Sequence, residues 1–311
     1  KCNAIPVKIL IICSNLIGDT ILSTGVIKHF VDQYKDAKIS LVIGPTAAPI
    51  FRNYKNIDEV IIFKKRKFNF HWIDILKKTY KIKWDIVVDF RSSALSYFLK
   101  NKKKYIFKKQ KGLHHIDQLN SSFGFLCSKL FVPTSLDEEN EVSQMLEKKF
   151  KHIVVFPGGN WIPKLWSDKN YNIVMKSLLK KYNNIKFILV GSAKEKENYY
   201  RNLVNGIDEK LIIDLFGCNL TLTSAFMKKS DLFLGNDSGL MHLAVSNQLR
   251  VISLFGPTDD KIYGPYGENN IVIRTKENLD YFKSIHIDAN KSYMNSIKTN
   301  TVIDVIEKLL K

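Results

Sequence analysis

Asp231-Leu232-Phe233-Leu234-Gly235-Asn236-Asp237-Ser238-Gly239-Leu240-Met241-His242-Leu243-Ala244, followed by Val251-Ile252-Ser253-Leu254-Phe255-Gly256-Pro257-Thr258, decides the fold class of this 311-residue chain. Leu232–Leu234 is a short apolar run that reads as a buried strand. Leu240–Ser246 reads as a helix, and Val251–Phe255 as a second strand closed by a Gly-Pro-Thr turn. Strand, turn, helix and strand in that order make one crossover of a parallel sheet. A polar turn containing glycine, placed between strand and helix, aims free backbone N–H groups and the positive end of a helix dipole at one point. That arrangement suits a phosphate or diphosphate. Gly239 lets the backbone come close to a ligand, Ser238 adds a hydroxyl donor, and His242 falls one turn into the helix. An Asp or Ser capping an ordinary helix fits the same letters.

The pattern extends outward in both directions. Strands are expected at Val7–Cys13, Ile39–Ile43, Val60–Phe63, Ile86–Phe90 and Tyr105–Phe107, with helical periodicity between them, as over Thr20–Tyr34. A second series reads at Ile153–Phe156, Phe187–Val190, Leu211–Asp214, Leu232–Leu234 and Val251–Phe255. Its helices fall near Asp168–Tyr182, Lys194–Asn205, Thr223–Lys229 and Leu240–Ser246, and a terminal helix lies near Thr301–Leu310. Two such runs predict two doubly wound domains, residues 1–150 and 151–311, with the polar stretch Pro133–Glu141 approaching the join. Open α/β sheets bind ligands beyond the carboxyl ends of their strands. Two sheets facing across a cleft would therefore carry their chemistry on the loops that follow strands.

Composition narrows the classes. With 45% hydrophobic residues the chain is globular rather than disordered. Its longest apolar runs, such as Ile9–Cys13, are too short to span a bilayer. Lys1-Cys2-Asn3 leads directly into a strand pattern with no signal peptide, and Cys2, Cys13, Cys127 and Cys218 show no metal or disulfide spacing, so a reduced cytosolic location is expected. The net charge is +18. Residues 1–150 hold 26 Lys/Arg against 14 Asp/Glu, and residues 151–311 hold 22 against 16. The excess clusters at Lys64-Lys65-Arg66-Lys67, at Lys77, Lys78, Lys81 and Lys83, and over Lys100–Lys111. Such a face attracts nucleic acid, anionic lipid or a phosphorylated glycan, unless it is merely solvated. No nucleic-acid module accompanies the charge, so no nucleic-acid partner is expected.

Four loops carry chemistry. Ser14-Asn15-Leu16-Ile17-Gly18-Asp19-Thr20 follows the first strand and is not the dinucleotide fingerprint, which argues against a dehydrogenase. Gly18 is expected in the turn. Asp19 is expected either to cap the helix or to serve as a general base. Pro157-Gly158-Gly159-Asn160-Trp161-Ile162-Pro163-Lys164-Leu165-Trp166 opens the backbone at two glycines and brings the Lys164 cation to the mouth, where it can neutralise a diphosphate leaving group. In Gly191-Ser192-Ala193-Lys194-Glu195-Lys196-Glu197, either glutamate can accept from a ribose diol or favour a helix start. The fourth is the Asp237-Ser238-Gly239 turn. In the first half, Arg91 and His115 are candidates for an anionic acceptor. Neither a metal cluster nor a strand followed by Asp-x-Asp is present, so no metal and no cofactor are expected.

Taken together, Ile17-Gly18-Asp19, Pro157-Gly158-Gly159 with Lys164 and Trp166, Gly191-Ser192-Ala193-Lys194, Asp237-Ser238-Gly239-Leu240-Met241-His242, Phe255-Gly256-Pro257-Thr258 and Met294-Asn295-Ser296-Ile297 resemble glycosyltransferase family 9, the ADP-heptose:lipopolysaccharide heptosyltransferases. The resemblance implies a GT-B fold, with the acceptor on an N-terminal Rossmann-like domain and the ADP-sugar donor on a C-terminal one. It also implies metal-independent transfer with inversion. It makes Asp19 the base, Lys164 and Ser238–Gly239 the diphosphate contacts, Glu195 the ribose contact and Asp237 a sugar contact. The acceptor is then an anionic lipid-linked glycan, the lipopolysaccharide or lipooligosaccharide inner core, reached by peripheral contact with the inner face of the cytoplasmic membrane. A GT-B transferase using another nucleotide sugar and a non-catalytic nucleotide- or glycan-binding protein are the alternatives.

Overall fold

A computed structural model describes residues 6–64, 66–67, 70–126 and 129–310. Lys65 of the first basic cluster, Cys2 and Cys127 lie outside the described residues. The chain divides into two compact units, Lys1–Pro133 and Thr134–Lys311.

The first unit runs β1 (Lys8–Ile12), α1 (Ile17–Gln33), β2 (Lys38–Ile43), β3 (Glu59–Ile62), α2 (His71–Thr79), β4 (Trp84–Asp89), α3 (Leu95–Phe98), β5 (Asn101–Ile106) and α4 (His115–Phe123). Its strands form one parallel sheet in the order β3-β2-β1-β4-β5. Ile9, Leu10, Ile11 and Ile12 are all 0% exposed. A central parallel strand is covered on both faces, and so it reads as a continuous apolar run rather than an alternating one. The edge strand β5 is different: Lys102, Lys103 and Lys104 are exposed. Lysines on an edge block pairing with other chains, and they hide the strand's start from an apolar-run criterion. The observed strand begins at Asn101 rather than at the expected Tyr105. Ile75 of α2 and Leu95 of α3 share a buried cluster with Leu10, Ile12, Val42 and Val87, so both helices cover one face of the sheet.

The second unit runs α5 (Leu136–Met145), β6 (Lys151–Phe156), α6 (Asp168–Lys181), β7 (Ile185–Gly191), α7 (Ala193–Leu203), β8 (Ile212–Phe216), α8 (Leu220–Lys228), β9 (Leu232–Asn236), α9 (Gly239–Ser246), β10 (Val251–Phe255), α10 (Asp260–Tyr263), β11 (Ile271–Arg274), α11 (Leu279–Ser284) and α12 (Thr299–Leu310). Its sheet is parallel in the order β11-β10-β9-β6-β7-β8. α6 and α12 pack together over a core that includes Tyr171, Met175, Leu178, Val302 and Ile306.

Two expectations are corrected. The boundary expected at 150/151 falls at Pro133/Thr134, at the head of the polar stretch Pro133–Glu141 that was expected to approach the join, and most of that stretch is helix α5. Ser135 and Glu138 form a capping box at the start of α5, which satisfies two orphan donors at once. α5 then packs on α8, with Glu139 paired to Lys228 at 2.7 Å, and these contacts assign it to the second unit. The other correction is β11, an edge strand that was not anticipated.

Ser135→Ala removes the α5 cap. We expect a loss of about 1 kcal/mol in urea unfolding followed by circular dichroism; no change would mean that α5 is held by packing alone.

Candidate functional site

In each sheet the strand order reverses once. The crevice beyond the carboxyl ends of the two strands at that reversal is where open α/β sheets bind ligands. In the first sheet those strands are β1 and β4, and in the second β6 and β9.

In the first unit, Asp19 follows β1 and Arg91 follows β4. The structure corrects the local expectation for both Gly18 and Asp19. Helix α1 begins at Ile17, its N-cap is Leu16, and that cap makes no side-chain hydrogen bond. Gly18 is therefore helical, and Asp19 is the third helical residue rather than a cap. The Asp19 carboxylate instead accepts from Ser14 Oγ at 3.2 Å and remains partly exposed. Arg91 donates to Asn15 Oδ1 at 3.1 Å, and its guanidinium lies 5.0 Å from the Trp72 ring centroid and 5.5 Å from that of Phe63. The aromatic faces fix a planar cation without consuming its N–H donors. Partial burial lowers the Arg91 pKa, against the opposing pull of Asp89 and Asp19. His115 opens α4 and is partly buried. Burial lowers its pKa, Asp19 raises it, and His114 and Lys109 add to the lowering. Both Arg91 and His115 thus lie within the field of Asp19. Beneath them Asp89 is 0% exposed and accepts from the backbone N–H groups of Arg91 and Ser93, each at 2.8 Å, and from Ser93 Oγ at 2.7 Å. That carboxylate holds the turn carrying Arg91.

In the second unit the loops after β6, β7, β9 and β10 lie side by side. Lys164, after β6, pairs with Asp237, after β9, at 3.2 Å, and their side chains are only 12% and 9% exposed. Asn236, 0% exposed, organises this pair. Its Oδ1 accepts from Trp166 N at 3.1 Å and from Tyr171 Oη at 3.0 Å. Its Nδ2 donates to the carbonyls of Pro157 at 2.7 Å and Gly158 at 3.1 Å. Trp166 is buried against Tyr171 and donates from Nε1 to the carbonyl of Ile297 at 3.1 Å.

Glu195, in the first turn of α7, reaches across to the loop after β6. One carboxylate oxygen accepts from Gly159 N at 2.8 Å, and the other from Ser192 N at 2.7 Å and Ser192 Oγ at 2.8 Å. A Cβ at Gly158 would lie 2.1 Å from the Glu195 carboxylate, so only glycine allows this approach. Gly159, at φ 150°, has a backbone that side-chain-bearing residues avoid. Glu195 is also the third residue of a capping box with Ser192. The helix-start reading is therefore realised, and Glu197 is exposed on α7. Ser238 caps α9 by accepting from Met241 N at 3.3 Å, and Gly239 is the first helical residue. The N–H groups of the first turn, Gly239 and Leu240 among them, make no intrahelical bond, as at any helix start. His242, 3% exposed, is among the buried residues of α9 itself.

The structure thus brings Gly158, Gly159, Lys164, Glu195, Asp237, Ser238 and Gly239 to adjacent strand ends in one unit, and Asp19, Arg91 and His115 to one cluster in the other. Two residues missed from sequence complete the second site. Asn236 is one; Arg274 is the other. Arg274 donates to the carbonyls of Gly256 at 2.6 Å and Thr258 at 3.0 Å, and it pairs with Asp260 at 2.5 Å, so it clamps the loop after β10. Its signal lay in the unread strand β11. Among the described residues no group of three or more His, Cys, Asp or Glu is placed to hold a metal ion.

Residues 126–289 match the model for glycosyltransferase family 9 (heptosyltransferase). The chain is 24% identical to lipopolysaccharide heptosyltransferase 3 of Escherichia coli, covering 94% of this chain and 96% of that protein. Its fold matches the crystal structure of a family 9 glycosyl transferase from Veillonella parvula with a TM-score of 0.78 at 21% identity, covering 97% of each chain. It also matches the E. coli ADP-heptose lps heptosyltransferase II, with a TM-score of 0.75 at 18% identity, covering 97% of this chain and 98% of that one.

Removing one partner of a buried ion pair leaves the other charge uncompensated. Lys164→Ala should therefore cost about 3 kcal/mol in denaturant unfolding, while Lys164→Met/Asp237→Leu recovers most of it. Equal stability of wild type and Lys164→Ala would show that the pair is not structural.

Proposed function

The chain belongs to glycosyltransferase family 9, and from that premise we propose that it moves heptose from ADP-heptose to the inner core of a lipopolysaccharide or lipooligosaccharide, without a metal and with inversion. The observation that carries this reading is the Lys164 cation beside the start of α9, at the reversal between β6 and β9. A diphosphate needs a cation and oriented N–H donors at one strand end, and the second unit supplies both.

The reaction is a single displacement. The Asp19 carboxylate takes the proton of an acceptor hydroxyl as that oxygen attacks the anomeric carbon. The bond from that carbon to the diphosphate oxygen breaks, and ADP departs from the opposite face, which inverts the centre. The negative charge that grows on the leaving diphosphate is met by Lys164 and by the backbone N–H groups of the Ser238–Gly239 turn. Gly158 and Gly159 let the phosphates approach the backbone. Asp237 faces the sugar hydroxyls and, in the same position, keeps Lys164 in place. Glu195 uses three acceptor positions on Gly159 and Ser192, and a carboxylate has about four; the remaining one accepts from a ribose hydroxyl. His242, buried one turn into α9, supports the donor loop from within that helix. Arg91 and His115 hold anionic groups of the acceptor. The acceptor is anionic and lipid-linked, and the enzyme meets it by peripheral contact with the inner face of the cytoplasmic membrane. No helix among the described residues is long and apolar enough to cross a membrane.

General-base assistance is worth about 10²–10⁴ in rate. Asp19→Asn should lose transfer by that factor, read as product mass after incubation with ADP-heptose and truncated cores, while ADP affinity by calorimetry stays unchanged. Full transfer by Asp19→Asn would remove the base. Transfer from a UDP-sugar in place of ADP-heptose would overturn the donor assignment.

A further inference from the structure

We propose that the outward face of α2 and α3 is the surface on which this chain lies against an anionic lipid leaflet. The inference rests on the peripheral membrane contact proposed above and gives that contact a place in the fold.

α2 turns His71, Ile75 and Thr79 inward. On the opposite side of the helix are Ile73, Lys77 and, at its C-cap, Tyr80. Ile73 is 47% exposed and Tyr80 45%. The inward stripe already satisfies the packing of the helix, so the outer one has no role in the unit's core. α3 packs beside α2 on the same sheet face, and its Tyr97 and Phe98 are the most exposed pair of large side chains in that region, at 69% and 70%. A short span therefore presents four large apolar groups to solvent. Single exposed apolar residues are ordinary, but a cluster of them marks a binding surface.

Charge identifies the occupant. The first unit holds 24 Lys/Arg against 9 Asp/Glu, a net +15, while the second, with 24 against 21, carries only +3. Lys77, Lys78, Lys81, Lys100 and Lys104 are all exposed around the apolar cluster. The nearby carboxylates are already paired, Asp74 with Arg66 at 2.6 Å and Asp85 with Lys102 at 2.6 Å. Lys104 Nζ sits 4.2 Å from the centroid of the Tyr97 ring, an amphipathic pairing suited to the boundary between headgroups and acyl chains. Aliphatic and aromatic tips ringed by lysine gain from entering that boundary. A phosphodiester backbone offers Ile73 and Phe98 nothing, and a second copy of a +15 unit would be repelled.

The test uses the full chain and sedimentation with vesicles of phosphatidylcholine alone or mixed with phosphatidylglycerol. Wild type should bind only the mixed vesicles and be released by added salt. Lys77→Gln/Lys78→Gln should weaken binding on the order of thirty-fold, from about 1 kcal/mol per cation near an anionic surface. Ile73→Ser/Phe98→Ser should weaken it roughly ten-fold or more. Both variants should melt like wild type and transfer heptose normally to an acceptor glycan stripped of its acyl chains. Equal binding to neutral vesicles, wild-type binding by both variants, or no binding at all overturns the surface. A concentration-dependent dimer that disappears in Ile73→Ser/Phe98→Ser assigns the face to a second copy and also overturns it. Transfer without vesicle binding sinks the surface and leaves the function; vesicle binding without transfer does the reverse.

Discussion

The four hydrogen bonds of the buried Asn236 amide are the constraint on which the second unit's site depends. Asn236 ends β9, at the reversal of strand order, and joins four groups that are distant in sequence: the carbonyls of Pro157 and Gly158, the backbone N–H of Trp166 and the hydroxyl of Tyr171. An aspartate there could not donate to the two carbonyls. A leucine would leave four buried polar groups without partners, each costing about 1–3 kcal/mol. Only a primary amide offers two donors and two acceptors in one plane. The loop bearing Gly158, Gly159 and Lys164 is thereby fixed at both ends, and Lys164 falls beside the residue that follows Asn236.

The first unit meets the same need with a carboxylate. Asp89 also ends a strand at the reversal, is also fully buried, and accepts three hydrogen bonds from the turn that it controls. Here the turn presents only donors, so an acceptor-only side chain suffices. Each sheet therefore places one satisfied buried polar group under a loop at its strand-order reversal. Asp89 holds the turn that carries Arg91 from below, and Asn236 holds the loop that carries Lys164, so these side chains do not depend on their own contacts alone for position. Such support fixes the positions of functional groups while leaving lone pairs and N–H donors for a ligand.

Much of this was legible in the letters, for a physical reason. Buried parallel strands are continuous apolar runs, and Val251–Phe255 and Ile9–Ile12 announce themselves. Glycine pairs and a polar turn after such a run mark a strand-to-helix mouth, so Gly158, Gly159 and Asp237–Gly239 could be located. What stayed hidden was tertiary. Nothing local distinguishes Asn236, which completes its hydrogen bonds with residues 65 to 79 positions away, from any asparagine in a turn. Glu195 carries both a cap and a contact to Gly159 36 residues distant; the cap was readable and the contact was not. α5 lies in the polar stretch Pro133–Glu141, which reads only as the approach to the join, although Ser135 and Glu138 carry its capping box. Gly18 reads as a turn residue because glycine is a poor helix former, whereas α1 accommodates it in its first turn.

Placing the division at Pro133/Thr134 also changes the meaning of the charge. Counted with the first half, α5 and its flanks dilute the basic excess with Asp137, Glu138, Glu139 and Glu141; assigned to the second unit, they leave the first at +15. An asymmetry of that size is not needed to bind a nucleoside diphosphate, which asks for one cation and a helix start. Nor does it stabilise the unit that bears it, since self-repulsion opposes compactness. A basic excess that is costly to its own fold and absent from the second unit is what the proposed contact with an anionic leaflet would use. The apolar tips of α2 and α3, set among those lysines, distinguish a lipid leaflet from a soluble polyanion.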